Sequence, residues 1–196
     1  MTTYAPTSEL EAVNKMLTSI SLSPISSLTV TGNATAALAI STLHDTSREV
    51  QQEEWHFNTE KEYEISPDVN DNILIPSNCL NLDPTYSYKD YVFREGKLYD
   101  RENHTFTITD PVKVDIVWFL PWDDLPEYAR NFIMIKAARI FQTKVMGSSE
   151  HFQFTQDEEN RARVDLESKD SNNADNNMFR GSYSTLSIIT RDVFIG

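Results

Sequence analysis

The chain has 196 residues, of which 39% are hydrophobic, and a formal net charge of −13 from 17 basic and 30 acidic residues. This composition is sufficient for a hydrophobic core, while a mean hydropathy of −0.45 leaves much of the surface polar. A basic nucleic-acid-binding surface over much of the chain is excluded, because phosphate binding requires Lys and Arg.

Two amphipathic helices are predicted within residues 1–56, which form the first part of a helical domain. Ser8 followed three residues later by Glu11 has the layout of a capping box and begins the first helix. Asn33 is a suitable N-cap for the second helix, whose apolar residues recur at helical spacing to about Trp55.

The hydrophobic pattern changes period in residues 57–119, which predicts an inserted small antiparallel β domain of five or six strands. A hairpin with a glycine-containing turn is predicted at residues 91–99. The longest strand is predicted at residues 112–118, where apolar and polar residues alternate. Further short strands are expected near residues 63–65, 73–75 and 106–108.

A long helix follows the last strand, and we refer to it as the spine helix. Asp124 with Glu127 three residues later predicts a capping box at its start, and Pro126 suits its first turn. Gly147 suits a left-handed cap at its end. The helix should have roughly 22 residues and a length of about 33 Å. Because apolar residues occupy most of its circumference, it should be packed on several sides, by its own chain or by copies of it.

The region after the spine helix is predicted to complete the helical domain, which then comprises residues 1–56 and 120–170. A strongly charged fourth helix is expected from about residue 152 to 167, and four asparagines between residues 172 and 177 predict a polar break. Residues 171–196 are predicted to form an extended C-terminal arm without net charge. This arm either docks as a final strand on its own sheet or packs on another subunit or protein. Its apolar residues include Leu186, Ile188, Ile189, Val193, Phe194 and Ile195.

Charge is distributed unevenly along the chain. Residues 45–71 contain nine acidic and two basic residues, a net charge of −7 that exceeds half of the total. The spine helix has the opposite excess, and its bases should pair with the acidic fourth helix or with acids of a neighbouring subunit. These bases are Arg130, Lys136, Arg139 and Lys144.

Patterns for catalysis or metal binding are largely missing from the sequence. The four histidines lack a second His or Cys at metal-ligand spacing, and the five glycines form no phosphate-binding loop. The remaining option for catalysis is a glycosidase, which needs two carboxyl groups about 5 to 9 Å apart across a sugar. The candidates for this pair are Asp123, Asp124 and Glu127, with Trp118 or Trp122 to stack on the sugar. Helix capping explains Asp124 and Glu127 without a substrate. We therefore predict no enzyme activity, no catalytic residue, no metal and no cofactor.

The cellular compartment is indicated by what the sequence lacks. Cys79 is the single cysteine, so an internal disulfide is impossible and a reducing cytoplasm is suitable for folding. No apolar run approaches the roughly 18 residues of a membrane helix, so we expect no membrane insertion. The first residues lack the features of a signal peptide, so we expect no secretion by that route.

Eight short segments, in order between residues 9 and 159, together resemble a known family. They are ELEAVN at 9–14, LTSI at 17–20, PISSL at 24–28, WHFN at 55–58, LYDR at 98–101, LPE at 125–127, KAARIF at 136–141 and QDEE at 156–159. Their order and the chain length are similar to those of the tail tubular protein A family of short-tailed podoviruses, and the chain is identified as a member.

The resemblance implies a structural virion protein that forms an adaptor ring, also called a gatekeeper. Twelve copies would lie between the portal protein and the tail nozzle protein (tubular protein B), with tail fibres attached near that junction. The ring would retain packaged DNA and then conduct it during ejection, without binding it specifically. Its subunits would fold and assemble in the host bacterial cytoplasm and reside in the virion tail.

Three surfaces are then expected to serve this function. The C-terminal arm, through the apolar residues given above, would contact the portal. The predicted ring-packing residues are Phe132, Ile133, Lys136, Arg139 and Ile140. The predicted acidic face, which would line the channel or its rim, consists of Glu53, Glu54, Glu60 and Glu62. The alternative function is a tail-associated module that binds or hydrolyses glycans with Asp123, Asp124 and Glu127.

Overall fold

The structure of the protein, a computed structural model, describes residues 5–29, 32–85, 89–147 and 155–181. In these ranges it confirms an α+β fold in which four helices accompany two small antiparallel sheets. The helices are α1 (Glu9–Thr18), α2 (Ala34–Gln51), α3 (Glu127–Met146) and α4 (Gln156–Gly181). The strands are β1 (Thr59–Ile65), β2 (Cys79–Pro84), β3 (Tyr91–Arg94), β4 (Lys97–Asp100) and β5 (Val112–Trp118).

The starts of the first two helices agree with the capping residues in the sequence. The Ser8 hydroxyl accepts a hydrogen bond from the Glu11 amide, and the Glu11 carboxylate accepts one from the Ser8 amide at 2.8 Å. The Asn33 side chain accepts a hydrogen bond from the Ala36 amide at 3.0 Å. Both predicted caps are therefore confirmed.

Helix α2 ends at Gln51, earlier than the predicted end near Trp55. Glu54 has a positive φ of 62°, which turns the chain away from the helix axis. Trp55 then lies back against the end of the helix, where its indole Nε1 donates to the Val50 carbonyl at 2.7 Å. The Trp55 side chain thus belongs to the bundle core, although its backbone lies outside the helix.

The spine helix is α3, and it contacts α1, α2 and α4. The prediction that it is packed on several sides is confirmed, and its own chain supplies these neighbours. Gly147 has a φ of 66° and caps its end in the left-handed conformation, as predicted.

The predicted capping box at the start of α3 is wrong. Asp124 belongs to a separate 3₁₀ turn, Trp122–Asp124, and Leu125 then adopts an extended conformation with a ψ of 140°. Pro126 therefore occupies the N-cap position, and its side chain has no atom that could accept a hydrogen bond from the first amides of the helix. Glu127 instead accepts hydrogen bonds from the Thr7 amide and hydroxyl, at 2.9 and 2.6 Å.

The β unit, residues 59–118, contains a three-stranded sheet and a hairpin. Strand β5 is central and pairs antiparallel with β1 and β2, while β3 and β4 form the predicted hairpin. Glu95 and Gly96 in its turn have positive φ values of 51° and 76°, as a two-residue hairpin turn of this type requires. The strands predicted near 73–75 and 106–108 occur only as isolated bridges.

The buried apolar residues form two clusters. The larger belongs to the helical bundle and includes the fully buried rings of Phe132 and Phe141. The smaller belongs to the β unit and includes Ile73, Leu98 and Ile116, none of which is exposed. The chain thus has one core in the bundle and one in the β unit.

Helix α4 continues to Gly181, so the polar break predicted between residues 172 and 177 is wrong. An asparagine in a helix interior costs less than about 0.7 kcal/mol relative to alanine, which does not suffice to end a helix that packs elsewhere. Asn173, although exposed, contacts the start of α3, because its Nδ2 donates to the Tyr128 hydroxyl at 3.3 Å. The first part of the predicted arm is therefore helical, and its apolar residues 186–195 lie outside the described residues.

Candidate assembly surfaces

Two connecting segments, residues 51–58 and 118–120, link the bundle to the β unit. We refer to these two segments together as the joint. The fully buried Gln51 donates from Nε2 to the Leu120 carbonyl at 3.1 Å, and its Oε1 accepts from the Leu120 amide at 2.7 Å. Asn58 Nδ2 donates to the carbonyls of Gln51 and Trp118, at 2.8 and 2.9 Å. The side chains of Gln51 and Asn58 therefore each link one connecting segment of the joint to the other.

Helix α4 closes the joint with a carboxylate. Asp170 is 7% exposed, and its two oxygens accept hydrogen bonds from the amides of His56 and Phe57, at 2.8 and 3.3 Å. These amides lie in the first turn of the 3₁₀ helix His56–Asn58, where a carboxylate side chain is a suitable acceptor for backbone N–H groups. Asp170 thus holds the segment that leads into β1 against helix α4 of the bundle.

A second contact of α4 involves Arg163. Its Nη1 and Nη2 donate to the two carboxylate oxygens of Glu53, at 3.2 and 2.6 Å. The guanidinium also lies over the rings of Trp55 and Phe132, at 5.8 and 5.9 Å from their centroids. The hydrogen bond to Glu53 raises the pKa of Arg163 further above its ordinary value, in keeping with a stable ion pair.

The predicted acidic face has a different environment at each residue. All four of its glutamates are exposed, and Glu53 is already paired with Arg163. Glu54 accepts a hydrogen bond from Asn81 at 2.7 Å, and Glu62 lies 3.3 Å from Lys113. Glu53 and Glu54 therefore border the joint, whereas Glu60 and Glu62 lie on β1. That this face lines a channel or its rim remains a prediction.

The predicted ring-packing residues do not share one surface. Phe132 is 1% exposed and Ile133 is fully buried, both in the core of the chain itself. Because they are already covered within the subunit, their assignment to a contact between subunits is wrong. Ring packing remains a prediction for the half-buried Lys136, Arg139 and Ile140.

The basic residues of α3 have partners within the chain. Arg139 pairs with Glu159 of α4, as predicted for the acidic fourth helix. Lys136 instead pairs with Glu49 of α2 at 3.1 Å. These two ion pairs connect α3 to the helices on both sides of it.

Arg130 has a structural role that the sequence did not indicate. It is 6% exposed and donates to the backbone carbonyls of Leu125, Thr7 and Asp123, at 2.8, 3.1 and 2.6 Å. The Trp122 indole also donates to the Thr7 carbonyl, at 2.9 Å. The segment before α1 is thereby anchored to the start of α3, and a buried arginine there needs no carboxylate partner.

The structure does not bring the proposed glycan residues together. Asp123 and Asp124 are exposed, while the Glu127 carboxylate is engaged by Thr7. The Trp122 ring is buried, and Trp118 lies on β5 in an edge contact with Tyr63, at a centroid distance of 5.5 Å. Neither indole therefore faces a pair of free carboxylates, and the glycan alternative receives no support from this arrangement.

Other chemistry receives little support from the described part of the chain. Within it, no three His, Cys, Asp or Glu side chains cluster in a way that would hold a metal ion. The helices that the structure describes include none long and apolar enough to cross a membrane. Burial raises the pKa of the Cys79 thiol, which keeps it protonated and weakly nucleophilic at neutral pH.

Comparison of the sequence with known proteins gives two matches, and both are to tail tubular proteins. A family model described as tail tubular protein matches residues 10–176, a range that includes both cores and the joint. Tail tubular protein A of Klebsiella phage KP34 is 30% identical over 152 residues, which cover 77% of this chain and 81% of that protein.

Proposed function

The chain belongs to the tail tubular protein family, and on this premise we propose that it is the subunit of an adaptor ring in a podovirus tail. It is a structural protein of a bacteriophage tail and a component of the virion. Twelve copies form the ring, which joins the portal protein to the tail nozzle protein, and tail fibres attach near this junction. The ring retains packaged DNA and conducts it during ejection.

The observation that carries this proposal is the extent of the family match. It spans residues 10–176 and therefore includes the bundle, the joint and the β unit as one continuous unit. A ring subunit must keep its surfaces in a constant relative position, because small angular errors accumulate around a closed ring. The buried links of Gln51, Asn58 and Asp170 supply such a connection between the two cores.

Charge supports the passage of DNA without specific binding. The subunit has a net charge of −13, and residues 45–71 hold more than half of it. A surface of this sign repels phosphate, so DNA slides past instead of adhering. We assign the channel or rim to the acidic face, where Glu60 and Glu62 project from β1. We assign the portal contact to the arm, whose apolar end has no net charge and suits a protein surface.

The proposal is tested by the molar mass in solution, measured by light scattering with and without the portal protein. We expect a particle of roughly 270 kDa, twelve times the subunit mass of 22.5 kDa, either alone or after the portal is added. A variant that ends at residue 181 should keep the bundle and lose the complex with the portal. A chain that stays monomeric and ignores the portal would contradict the adaptor function.

A further inference from the structure

One face of the β3–β4 hairpin combines apolar and cationic side chains, of which Leu74 and Arg94 are exposed and the others half-buried. Arg94 lies opposite Lys97 in the hairpin register, Val92 lies opposite Tyr99, and an isolated bridge places Leu74 beside Lys97. Residues that are directly opposite on paired strands project to the same side. We refer to this set as the hairpin face, which consists of Leu74, Val92, Arg94, Lys97, Tyr99 and Phe106.

The two cations of the hairpin face lie over its aromatic rings. The Arg94 guanidinium is 4.4 Å from the centroid of the Tyr99 ring, and Lys97 Nζ is 5.9 Å from that of Phe106. The two rings contact each other edge to face, at a centroid distance of 4.9 Å. Leu74, at 53% exposure, adds an uncovered apolar side chain beside them. The face therefore presents ordered positive charge and apolar area, and none of its six residues is acidic.

We infer that the hairpin face binds the β1 surface of a second copy of this chain. Strand β1 is at the edge of its sheet, and a bulge between Glu60 and Tyr63 leaves residues 60–64 exposed. Glu60, Glu62 and Glu64 are exposed along this strand, and Glu62 lies 3.3 Å from Lys113. Tyr63, which is 38% exposed, is opposite Val114 and projects to the other side of the sheet from Glu64, which is opposite Lys113. The carboxylates of this strand complement the two cations of the hairpin face.

Charge also determines how two copies can pair. A hairpin face against a second hairpin face would oppose cations, and β1 against β1 would oppose carboxylates, which is unfavourable in both cases. The favourable pairing joins two different surfaces, so each copy uses its hairpin face on one neighbour and its β1 surface on the other. Such a head-to-tail contact generates a ring when its rotation closes. The inference thus rests on the proposed adaptor ring and specifies a contact within it. It places Glu60 and Glu62 in that contact, so that of the acidic face Glu53 and Glu54 are left for the channel or its rim.

The test is charge reversal with complementation between two variants. One variant combines Arg94→Glu and Lys97→Glu, and the other combines Glu60→Lys and Glu64→Lys. Each variant alone should self-associate roughly tenfold or more weakly than the original chain, because its interface opposes like charges. An equimolar mixture should recover assembly, since alternating copies then present matched surfaces. Sedimentation velocity measures this, with the portal protein added if the original chain assembles only on it.

The control has the same charge change as the hairpin variant but lies on α4. It combines Arg161→Glu and Lys169→Glu, at two exposed positions, and should assemble like the original chain. Circular dichroism must show that all variants are folded. If the original chain assembles and the hairpin variant assembles equally well, the inference is wrong and the adaptor function stands. Weak assembly of both variants without recovery on mixing also overturns the pairing. A chain that is monomeric under all conditions refutes both proposals.

Discussion

The helical bundle and the β unit differ in how they bury apolar side chains. The bundle encloses several large side chains completely, among them Phe132 and Phe141, although Val164 on α4 is 64% exposed. The β unit has a smaller core and leaves Phe93 at 61% and Leu74 at 53% exposure. An exposed apolar group on a folded domain is informative when it lies beside other exposed groups of matching chemistry. The bundle therefore contains the larger closed core, and in the β unit exposed apolar groups such as Leu74 lie beside the cations of the hairpin face.

The largest expected effect is a loss of folding stability, which we compare between the two regions with one Phe→Ala substitution in each. Phe132→Ala removes a fully buried ring from the bundle core and should lower the free energy of unfolding by about 3–5 kcal/mol. Phe93→Ala removes an exposed ring and should change it by less than about 0.5 kcal/mol. Urea unfolding followed by circular dichroism measures both variants.

The Phe132→Ala variant also tests whether Phe132 packs within its own subunit or against a neighbouring one. If Phe132 contributed mainly to a contact between subunits, its truncation would weaken assembly while the monomer kept its stability. A stable Phe132→Ala monomer would therefore contradict the closed bundle.

An intermediate effect is expected at the joint. Gln51→Ala removes the side chain that both donates to and accepts from the Leu120 backbone, and it should cost about 1–3 kcal/mol because buried backbone groups lose their partners. Gln52→Ala, at the exposed neighbouring position, is the control and should be close to neutral.

The joint variant also shows whether the two cores unfold together. Hydrogen exchange of the Leu120 amide should accelerate in Gln51→Ala, and the bundle and β unit should no longer unfold in one transition. Unchanged exchange and a single transition would mean that the amide links do not couple the two cores.

The sequence predicted best those features that depend on local backbone chemistry. The capping box of Ser8 with Glu11, the Asn33 cap and the Gly147 cap were all confirmed. Each of these involves residues within four positions of one another, so a short window contains the full cause. The turn at Glu95 and the following glycine, which forms the hairpin, belongs to the same class.

Features that depend on distant residues could not be predicted in this way. Gln51 and Leu120 are 69 positions apart, and nothing near either residue indicates their hydrogen bonds. Arg130 was expected to pair with an acid, yet backbone carbonyls surround it. Apolar residues occupy most of the circumference of the spine helix, so its pattern did not distinguish neighbours in the same chain from copies of it. Phe132 and Ile133 were misassigned for this reason.

The smallest expected effect concerns acid, and it again distinguishes the two regions. In the β unit, hydrogen bonds from the Asn72 amide and the Asn103 side chain lower the pKa of Asp68 and of Asp100, respectively, below the ordinary value of 3.8. A carboxylate whose pKa is lowered by folding stabilises the folded state above its ordinary pKa, and this stabilisation is lost as the pH falls through the lowered value. Acid should therefore release the turns that these residues hold.

We expect backbone amides of the two turns, at Asn70 and Asn72 and at Glu102 and Asn103, to exchange faster as the pH falls below about 4, after correction for intrinsic exchange. Amides of α3 should keep their protection in the same range, because the core around them is apolar. Asp68→Asn and Asp100→Asn replace the titrating groups and should each remove the acid dependence of their own turn. If α3 lost protection at the same pH as the turns, acid would be unfolding the subunit as a whole, and the bundle and the β unit would not respond as separate regions.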